Sequence, residues 1–304
     1  MSTIEKALAK KQQAKSSLEA KTEEQATPND TNSDSLDSDM SISEVSTSDA
    51  VEQNTKSVNA REIFIDNDKL TNRGFLHSGG NTHHQQEEFR HIKRKLINNA
   101  FGPVSKTLNH SNLIMVSSAS PNEGKTFISI NLALSVALEQ DKTVLLVDAD
   151  VLRPSIHHEL EFDNQTGLLD YLCGDTDDVS SIIYPTNIDN LRIMPAGSAH
   201  LLTNELLASE RMATLAHELS NRYPDRVVIF DCPPLLGVTE TPVLASLVGQ
   251  AVVVVEESRT KLDHIKKATS QLDENLAIGF VLNKTVKTSK DIYGYYGYGY
   301  GRNR

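Results

Sequence analysis

The chain has 304 residues, 38% of them apolar, a formal charge of −11 and two cysteines, Cys173 and Cys232. An acidic balance with no basic stripe argues against nonspecific nucleic-acid binding as the main activity, and no nucleic-acid partner is expected. Two cysteines without metal-ligand spacing exclude a disulfide framework and point to a reducing, cytoplasmic compartment.

Near the N-terminus, Ser2, Thr3, Ile4 and Glu5 form a capping-box-like start to a helix over 1–20, with a thin apolar stripe of Ile4, Leu8 and Leu18. Such a stripe suits a helix that docks on a partner or one that stays solvated. The next segment, 21–85, is expected to be a disordered acidic and Ser-rich linker. Its first aromatic residue is Phe64, and from Ala26 to Ala60 it carries seven acidic residues and a single Lys. Too little apolar surface is available there to offset the entropy of ordering.

From Glu87 to Phe101 the pattern changes: Phe89, Ile92, Leu96 and Ile97 recur at helical spacing beside a basic face of Arg90, Lys93, Arg94 and Lys95. Short apolar runs follow at Leu113–Val116, Val144–Val147, Leu191–Met194, Val227–Phe230, Ala251–Val255 and Ile278–Leu282. Helical patterns lie between most of them, notably Lys125–Glu139, Asn204–Arg222 and Lys261–Asp273. Nearly continuous apolar strands alternating with helices predict an α/β fold of the P-loop NTPase type, a doubly wound, mainly parallel sheet with helices on both faces, over 86–285. The longest apolar run, near Ile128 to Leu138, spans about a dozen residues and includes Ser and Asn. That is short of the roughly 20 needed to cross a bilayer. No transmembrane helix or signal peptide is read. The remaining segment, 286–304, is a Tyr- and Gly-rich tail that holds five of the eight tyrosines, Tyr293, Tyr295, Tyr296, Tyr298 and Tyr300.

Three motifs carry chemistry. Ala119, Ser120, Pro121, Asn122, Glu123, Gly124, Lys125 and Thr126 follow the first strand and fit a P-loop, with Ala in place of the first Gly. In a P-loop, backbone N–H groups and the start of the next helix wrap the phosphates of ATP, here with Phe127 included. Lys125 reaches the β and γ groups and Thr126 ligates Mg²⁺. Asp148 and Asp150 end the second strand, at the carboxyl edge where open parallel sheets bind ligands. The run Val227 to Asp231 is an apolar strand ending in Asp, the Walker B arrangement for the Mg²⁺ shell, followed by Pro233 and Pro234. Asn283 ends the last strand and is a candidate for contact with the adenine base, or a plain turn residue.

Together these pieces resemble the bacterial tyrosine kinases of exopolysaccharide biosynthesis, from Glu87 to the C-terminus. That family combines a Walker A loop, an A-prime strand ending in Asp-x-Asp, a Walker B Asp and a C-terminal tyrosine cluster. The resemblance implies an autokinase with Lys125, Asp148, Asp150 and Asp231 as catalytic residues, Thr126, Asp150 and Asp231 around Mg²⁺, and transfer in trans to the five tail tyrosines. Asp148 would be the base or a metal-organising carboxylate; sequence leaves the division of roles among the aspartates open. The family's Glu-x-x-Arg-x-x-Arg oligomerisation motif falls on Glu87, Arg90 and Lys93, with Lys where a planar guanidinium would pair. Leu152 occupies the usual arginine position of the A-prime motif, and Arg153 follows. The resemblance further implies a ring-forming homo-oligomer, a membrane-embedded chain-length determinant or activator that holds the chain at the inner membrane, and a counteracting tyrosine phosphatase. Ile4 to Leu8 and the Asp150 to Pro154 variant resemble the subgroup associated with exosortase-linked polysaccharide systems.

Two other readings compete. A partitioning or positioning ATPase of the ParA/MinD type shares the motifs, but Ser120 stands where such proteins carry an extra lysine, and the tyrosine tail has no task there. A nucleotide-binding regulatory module without turnover would not need intact Lys125, Thr126, Asp150 and Asp231. For the kinase, the tail's flexible Gly-interleaved backbone gives the tyrosines reach, since roughly 14 residues extend to about 45 Å.

Overall fold

The computed structural model describes residues 61–77 and 83–286. The expected N-terminal helix, most of the expected linker, and the five tail tyrosines lie outside the described residues. The described residues are built on a seven-stranded sheet: β1 (Leu113–Ser118), β2 (Thr143–Asp148), β3 (Tyr184–Pro185), β4 (Leu191–Met194), β5 (Arg226–Asp231), β6 (Gln250–Glu256) and β7 (Ala277–Asn283), in the order β3-β4-β2-β5-β1-β6-β7. All pairings are parallel except β3 with β4. The six apolar runs read from sequence each lie within a strand. The two-residue β3 gave no periodic signal and was not anticipated.

The strands are continuous in apolar residues because both faces are covered. One face packs Leu145, Val147, Val228, Phe230 and Val253 against α5 (Leu168–Cys173), α6 (Thr203–Leu207), α7 (Glu210–Asn221) and α8 (Glu240–Ala245). The other packs Ile114, Val116, Leu146, Ile229 and Val252 against α2 (His83–Phe101) and α3 (Lys125–Ala137). In α3 every residue from Ile128 to Ala137 is buried, since the sheet covers one side and α2 the other. The remaining α-helices among the described residues are α1 (Asn67–Asn72), α4 (Ile156–Leu160) and α9 (Leu262–Thr269).

Two expectations are corrected. The helix expected over Asn204 to Arg222 is two helices, because the Ser209 hydroxyl accepts from the Met212 amide and caps a new start at Glu210. The linker expected to run to 85 ends earlier. Residues 61–77 form a strap across the α2/α3 face, and Ile63, Ile65, Leu70, Phe75 and Leu76 are all buried in the core there. Ile63 donates to the Pro185 carbonyl at 2.9 Å beside the sheet edge, and Asn187 accepts from the Ile65 amide at 2.7 Å. The Leu76 amide donates to the Asn131 side chain at 2.7 Å, and Phe75 stacks on Phe127 with ring centroids 5.5 Å apart. The low aromatic content of the segment as a whole hid these few, well-placed apolar residues.

Candidate functional site

At the carboxyl edge of the sheet, β1 leads through residues 119–124 into α3. Gly124 caps the helix with φ 97°, a left-handed conformation that glycine adopts without penalty. A Cβ built there would lie 2.1 Å from the Asn283 amide nitrogen, so a side chain at this strained φ would also displace that amide. Asn283 Nδ2 donates instead to the Glu123 carbonyl at 2.9 Å. This hydrogen bond ties the end of β7 to the loop.

Glu123 is buried and spans the loop from inside. Its carboxylate accepts from the Ser120 amide at 3.0 Å and the Thr260 hydroxyl at 2.5 Å. Ser120 and Glu123, both expected to touch the nucleotide, shape the loop rather than line the cleft. Pro121, Asn122, Gly124, Lys125, Thr126 and Phe127 do line it, in a cleft of about 800 Å³ whose far wall includes Pro233, Pro234, Leu236 and Val238.

The three aspartates occupy distinct environments. Asp231 is fully buried; Thr126 Oγ1 donates to its Oδ2 at 2.7 Å and Ser129 Oγ to its Oδ1 at 2.9 Å. Burial, only partly offset by Lys125 and these hydroxyls, pushes its pKa up to about 6. Asp150 lines the cleft, 3.5 Å from Lys125 Nζ, and burial raises its pKa against the pull of that lysine. Asp148 faces Asp231 across the β2/β5 register and is 1% exposed. Its Oδ2 accepts from the Ser155 and Ile156 amides at 3.1 and 3.0 Å, while its Oδ1 has no hydrogen-bond partner. Burial first, then the Asp231 charge, holds its carboxyl well above the usual range. Asp148 therefore stands behind the cleft surface, and Asp150 on it. Burial likewise pushes the adjacent Cys232 thiol up, and both cysteines are free.

The donor set fits Mg²⁺ and a polyphosphate. Thr126, Asp150 and Asp231 offer hard oxygens, which Mg²⁺ prefers, and it takes one or two carboxylates with phosphate and water completing the shell. Lys125 supplies the phosphate charge, and the left-handed Gly124 leaves the loop amides unobstructed. The buried Asp148 Oδ1 has no partner, and burial and the Asp231 charge oppose ionisation of this carboxyl, an opposition that a nearby cation would relieve.

Sequence reasoning missed Arg73 and Phe75, which line the same cleft from the strap, and Ser155, whose hydroxyl lies 2.7 Å from Thr126 Oγ1. No motif marks them. Of the expected oligomerisation residues, Glu87 and Arg90 pair with one another on the surface of α2. Lys93 is a correction: it is 5% exposed, its Nζ donates to the Ser135 carbonyl at 2.9 Å and pairs with Glu139 at 2.5 Å, so it is spent inside the monomer on joining α2 to α3.

A parallel sheet with this loop and these aspartates at its carboxyl edge defines a P-loop nucleotide-binding domain, and residues 111–274 match the family model described as an AAA domain. Within that class the chain belongs to the bacterial tyrosine kinase family. It is 30% identical over 213 residues to the tyrosine-protein kinase YwqD of Bacillus subtilis strain 168, covering 69% of this chain and 86% of that protein. Over 194 residues it is 34% identical to the tyrosine-protein kinase wzc of Salmonella typhimurium, covering 62% of this chain but 26% of that protein. The chain thus spans about a quarter of the length of that relative. The crystal structure of the chimerical protein CapA2B2 superposes with a TM-score of 0.58 at 27% identity, covering 66% of this chain and 85% of that one. Among the described residues no helix is long and apolar enough to cross a membrane.

Proposed function

We propose that the protein is an ATP-dependent tyrosine autokinase that transfers the γ-phosphoryl group of Mg·ATP to its own tyrosine tail and thereby regulates exopolysaccharide polymerisation or export. The observation that carries the reading is the facing of Lys125 and Asp150 at 3.5 Å in an open cleft beside the P-loop, in a chain of the tyrosine kinase family. Phosphoryl transfer asks mainly for positioning and charge stabilisation, with a carboxylate to accept the hydroxyl proton. Mg²⁺, when bound, offsets phosphate charge.

Lys125 stabilises charge on the transferring group. Thr126 and Asp231 supply oxygens to the metal shell, and Ser129 fixes the orientation of the Asp231 carboxylate. Asp150, on the cleft surface with its pKa raised by burial, receives the tyrosine proton. Asp148 supports the site from behind through the Ser155 and Ile156 amides. Leu236, Val238 and the exposed Leu152 give the cleft an apolar rim against which an aromatic ring can rest.

The acceptors in this reading are Tyr293, Tyr295, Tyr296, Tyr298 and Tyr300, presented to a neighbouring copy in a ring whose contacts include Glu87 and Arg90. A membrane-embedded chain-length determinant acts as activator and holds the chain at the inner membrane, and a tyrosine phosphatase resets the tail. The domain limits 86–285 and 286–304 and the exosortase-associated subgroup belong to the same proposal, with the kinase domain extended at its N-terminus to include the strap. Five phosphotyrosines would add roughly −7 to −10 charges, which the aspartates of the site repel, so the phosphorylated tail leaves it.

Incubating the protein with Mg·ATP and its activator and measuring intact mass tests the reading. Stepwise gains of one phosphate that map to the tail, and that disappear in Lys125→Met, are expected. Phosphate release without mass gain would instead favour the positioning ATPase.

A further inference from the structure

The strap is tied to the site by charge as well as by its buried side chains. The Arg73 guanidinium forks onto two glutamates, Nη1 donating to Glu159 Oε2 and Nη2 to Glu161 Oε1, each at 2.9 Å. Lys69, one turn earlier, pairs with Glu161 at 2.6 Å. Both glutamates belong to α4 and its C-cap, the element that leaves the A-prime strand. The start of that element serves the site twice. The Ser155 and Ile156 amides donate to Asp148 Oδ2, and the Ser155 hydroxyl bonds Thr126 Oγ1, which in turn donates to Asp231. Five residues make a short helix with little stability of its own. Its position must come from tertiary contacts: Ile156 and Leu160 are buried in the core, and the clamp adds charged contacts at its C-terminal end that fix its direction.

We propose, on the basis of the kinase reading above, that Arg73, assisted by Lys69, is a positioning residue of the nucleotide site. It acts through Glu159 and Glu161 to hold α4, and through α4 the Asp148 and Thr126 side chains that organise the metal shell. The strap, which lies ahead of the P-loop domain in sequence, is then part of the catalytic apparatus. The anchor is well suited to this. Leu70 and Phe75 on either side of Arg73 are fully buried, and the left-handed Gly74 (φ 75°) turns the chain so that Phe75 enters the core while Arg73 stays at the cleft mouth. A fork onto two carboxylates also fixes direction, which a single ammonium cannot.

The test compares full-length Arg73→Ala, Arg73→Lys and the double variant Glu159→Gln/Glu161→Gln with the unaltered chain, using a fluorescent ADP analogue with Mg²⁺ and with EDTA. Solvent-accessible ion pairs contribute about 1 kcal/mol at most, so Arg73→Ala is expected to weaken Mg²⁺-dependent binding about fivefold. Binding in EDTA should change less than about twofold, and hydrogen exchange at the Ser155 and Ile156 amides should speed up in the unliganded protein. The glutamate double variant should reproduce these effects, and Arg73→Lys should recover part of them. Thermal unfolding confirms that each variant is folded. The proposal is overturned if amide exchange at 155 and 156 is unchanged, if binding falls equally with and without Mg²⁺, or if the glutamate variant binds like the unaltered chain, which would place Arg73 directly on the nucleotide. None of these readouts needs phosphoryl transfer. Absence of phosphotyrosine in the unaltered chain would therefore defeat the kinase reading and leave the clamp standing on its own result.

Discussion

Thr126 Oγ1 donates to Asp231 Oδ2 at 2.7 Å, joining the first turn of α3 to the end of β5. The hydroxyl lines the cleft and the carboxylate lies buried directly behind it, so a cation held at Thr126 would act on both. Replacing Thr126 by Ala removes one of them and loosens the other. Activity is expected to fall on the order of 10–100-fold, with a higher Mg²⁺ requirement, while Thr126→Ser retains most of it. A Mg²⁺ titration of autophosphorylation checks this, and an unchanged Mg²⁺ requirement in the Ala variant would remove Thr126 from the metal shell.

Asp148 is buried with one oxygen unpartnered, beside the equally buried Asp231. Asn at 148 keeps an oxygen for the Ser155 and Ile156 amides and removes a carboxyl whose ionisation burial and the Asp231 charge oppose. Asp148→Asn is therefore expected to stabilise the nucleotide-free protein by roughly 1–3 kcal/mol while lowering activity. Denaturant unfolding without nucleotide measures the first effect. A loss of stability would mean that the carboxylate is satisfied in solution.

The same crowding sets a pH dependence. Asp231 has a folded pKa of about 6, above the roughly 3.9 of an unfolded Asp. Between those values the folded, metal-free state binds more protons than the unfolded one. This group's contribution to stability is thus most favourable below about pH 4 and is lost as pH rises through about 6. Subtracting the denaturation profile of Asp231→Asn from that of the unaltered chain measures the effect together with its coupling to Asp148; a difference that is flat over this window would contradict it.

Lys93 joins α2 to α3 from a nearly solvent-free position, and so its removal strikes the fold before any interface. Lys93→Ala is expected to cost about 1–3 kcal/mol, because it leaves the Ser135 carbonyl and Glu139 without their partner. Arg90→Ala, on the surface, should change stability by less than about 1 kcal/mol while reducing self-association. Thermal unfolding and sedimentation of the two variants separate these roles; equal stability losses would refute the distinction.

The strap is expected to be required for folding. Ile63, Ile65, Leu70, Phe75 and Leu76 each gain about 1.5–3 kcal/mol on burial, a gross sum comparable with the whole stability of an ordinary domain, about 5–15 kcal/mol. A chain beginning at residue 86 should be aggregation-prone or molten, whereas one beginning at residue 60 should unfold cooperatively near the full-length Tm. Equal melting of the two shorter chains would show that the strap is dispensable.

How much of this was legible in sequence depends on how local the information is. The strands, the helix at Lys125, the P-loop and the Walker B aspartate all announce themselves within about ten neighbouring residues, through apolar runs, a glycine at a left-handed turn and carboxylates at strand ends. From these the sequence by itself determined the parallel α/β architecture, the location of the nucleotide cleft and the family. What it could not determine are contacts between residues far apart in the chain. Glu123 meets Thr260 across 137 positions, Asn283 reaches the Glu123 carbonyl across 160, and Arg73 reaches Glu161 across 88. Lys93 gave the same difficulty in another form: a lysine in a basic helix reads as solvated, and only the packing of α3 over it decided that it is buried. Composition averaged over a long acidic segment concealed a strap of five core residues, because burial depends on where a few side chains land rather than on how many there are. The sheet's edge and its crossovers bring these distant groups together, and that convergence, which no local pattern encodes, gives each aspartate its own environment and ties the strap to the site.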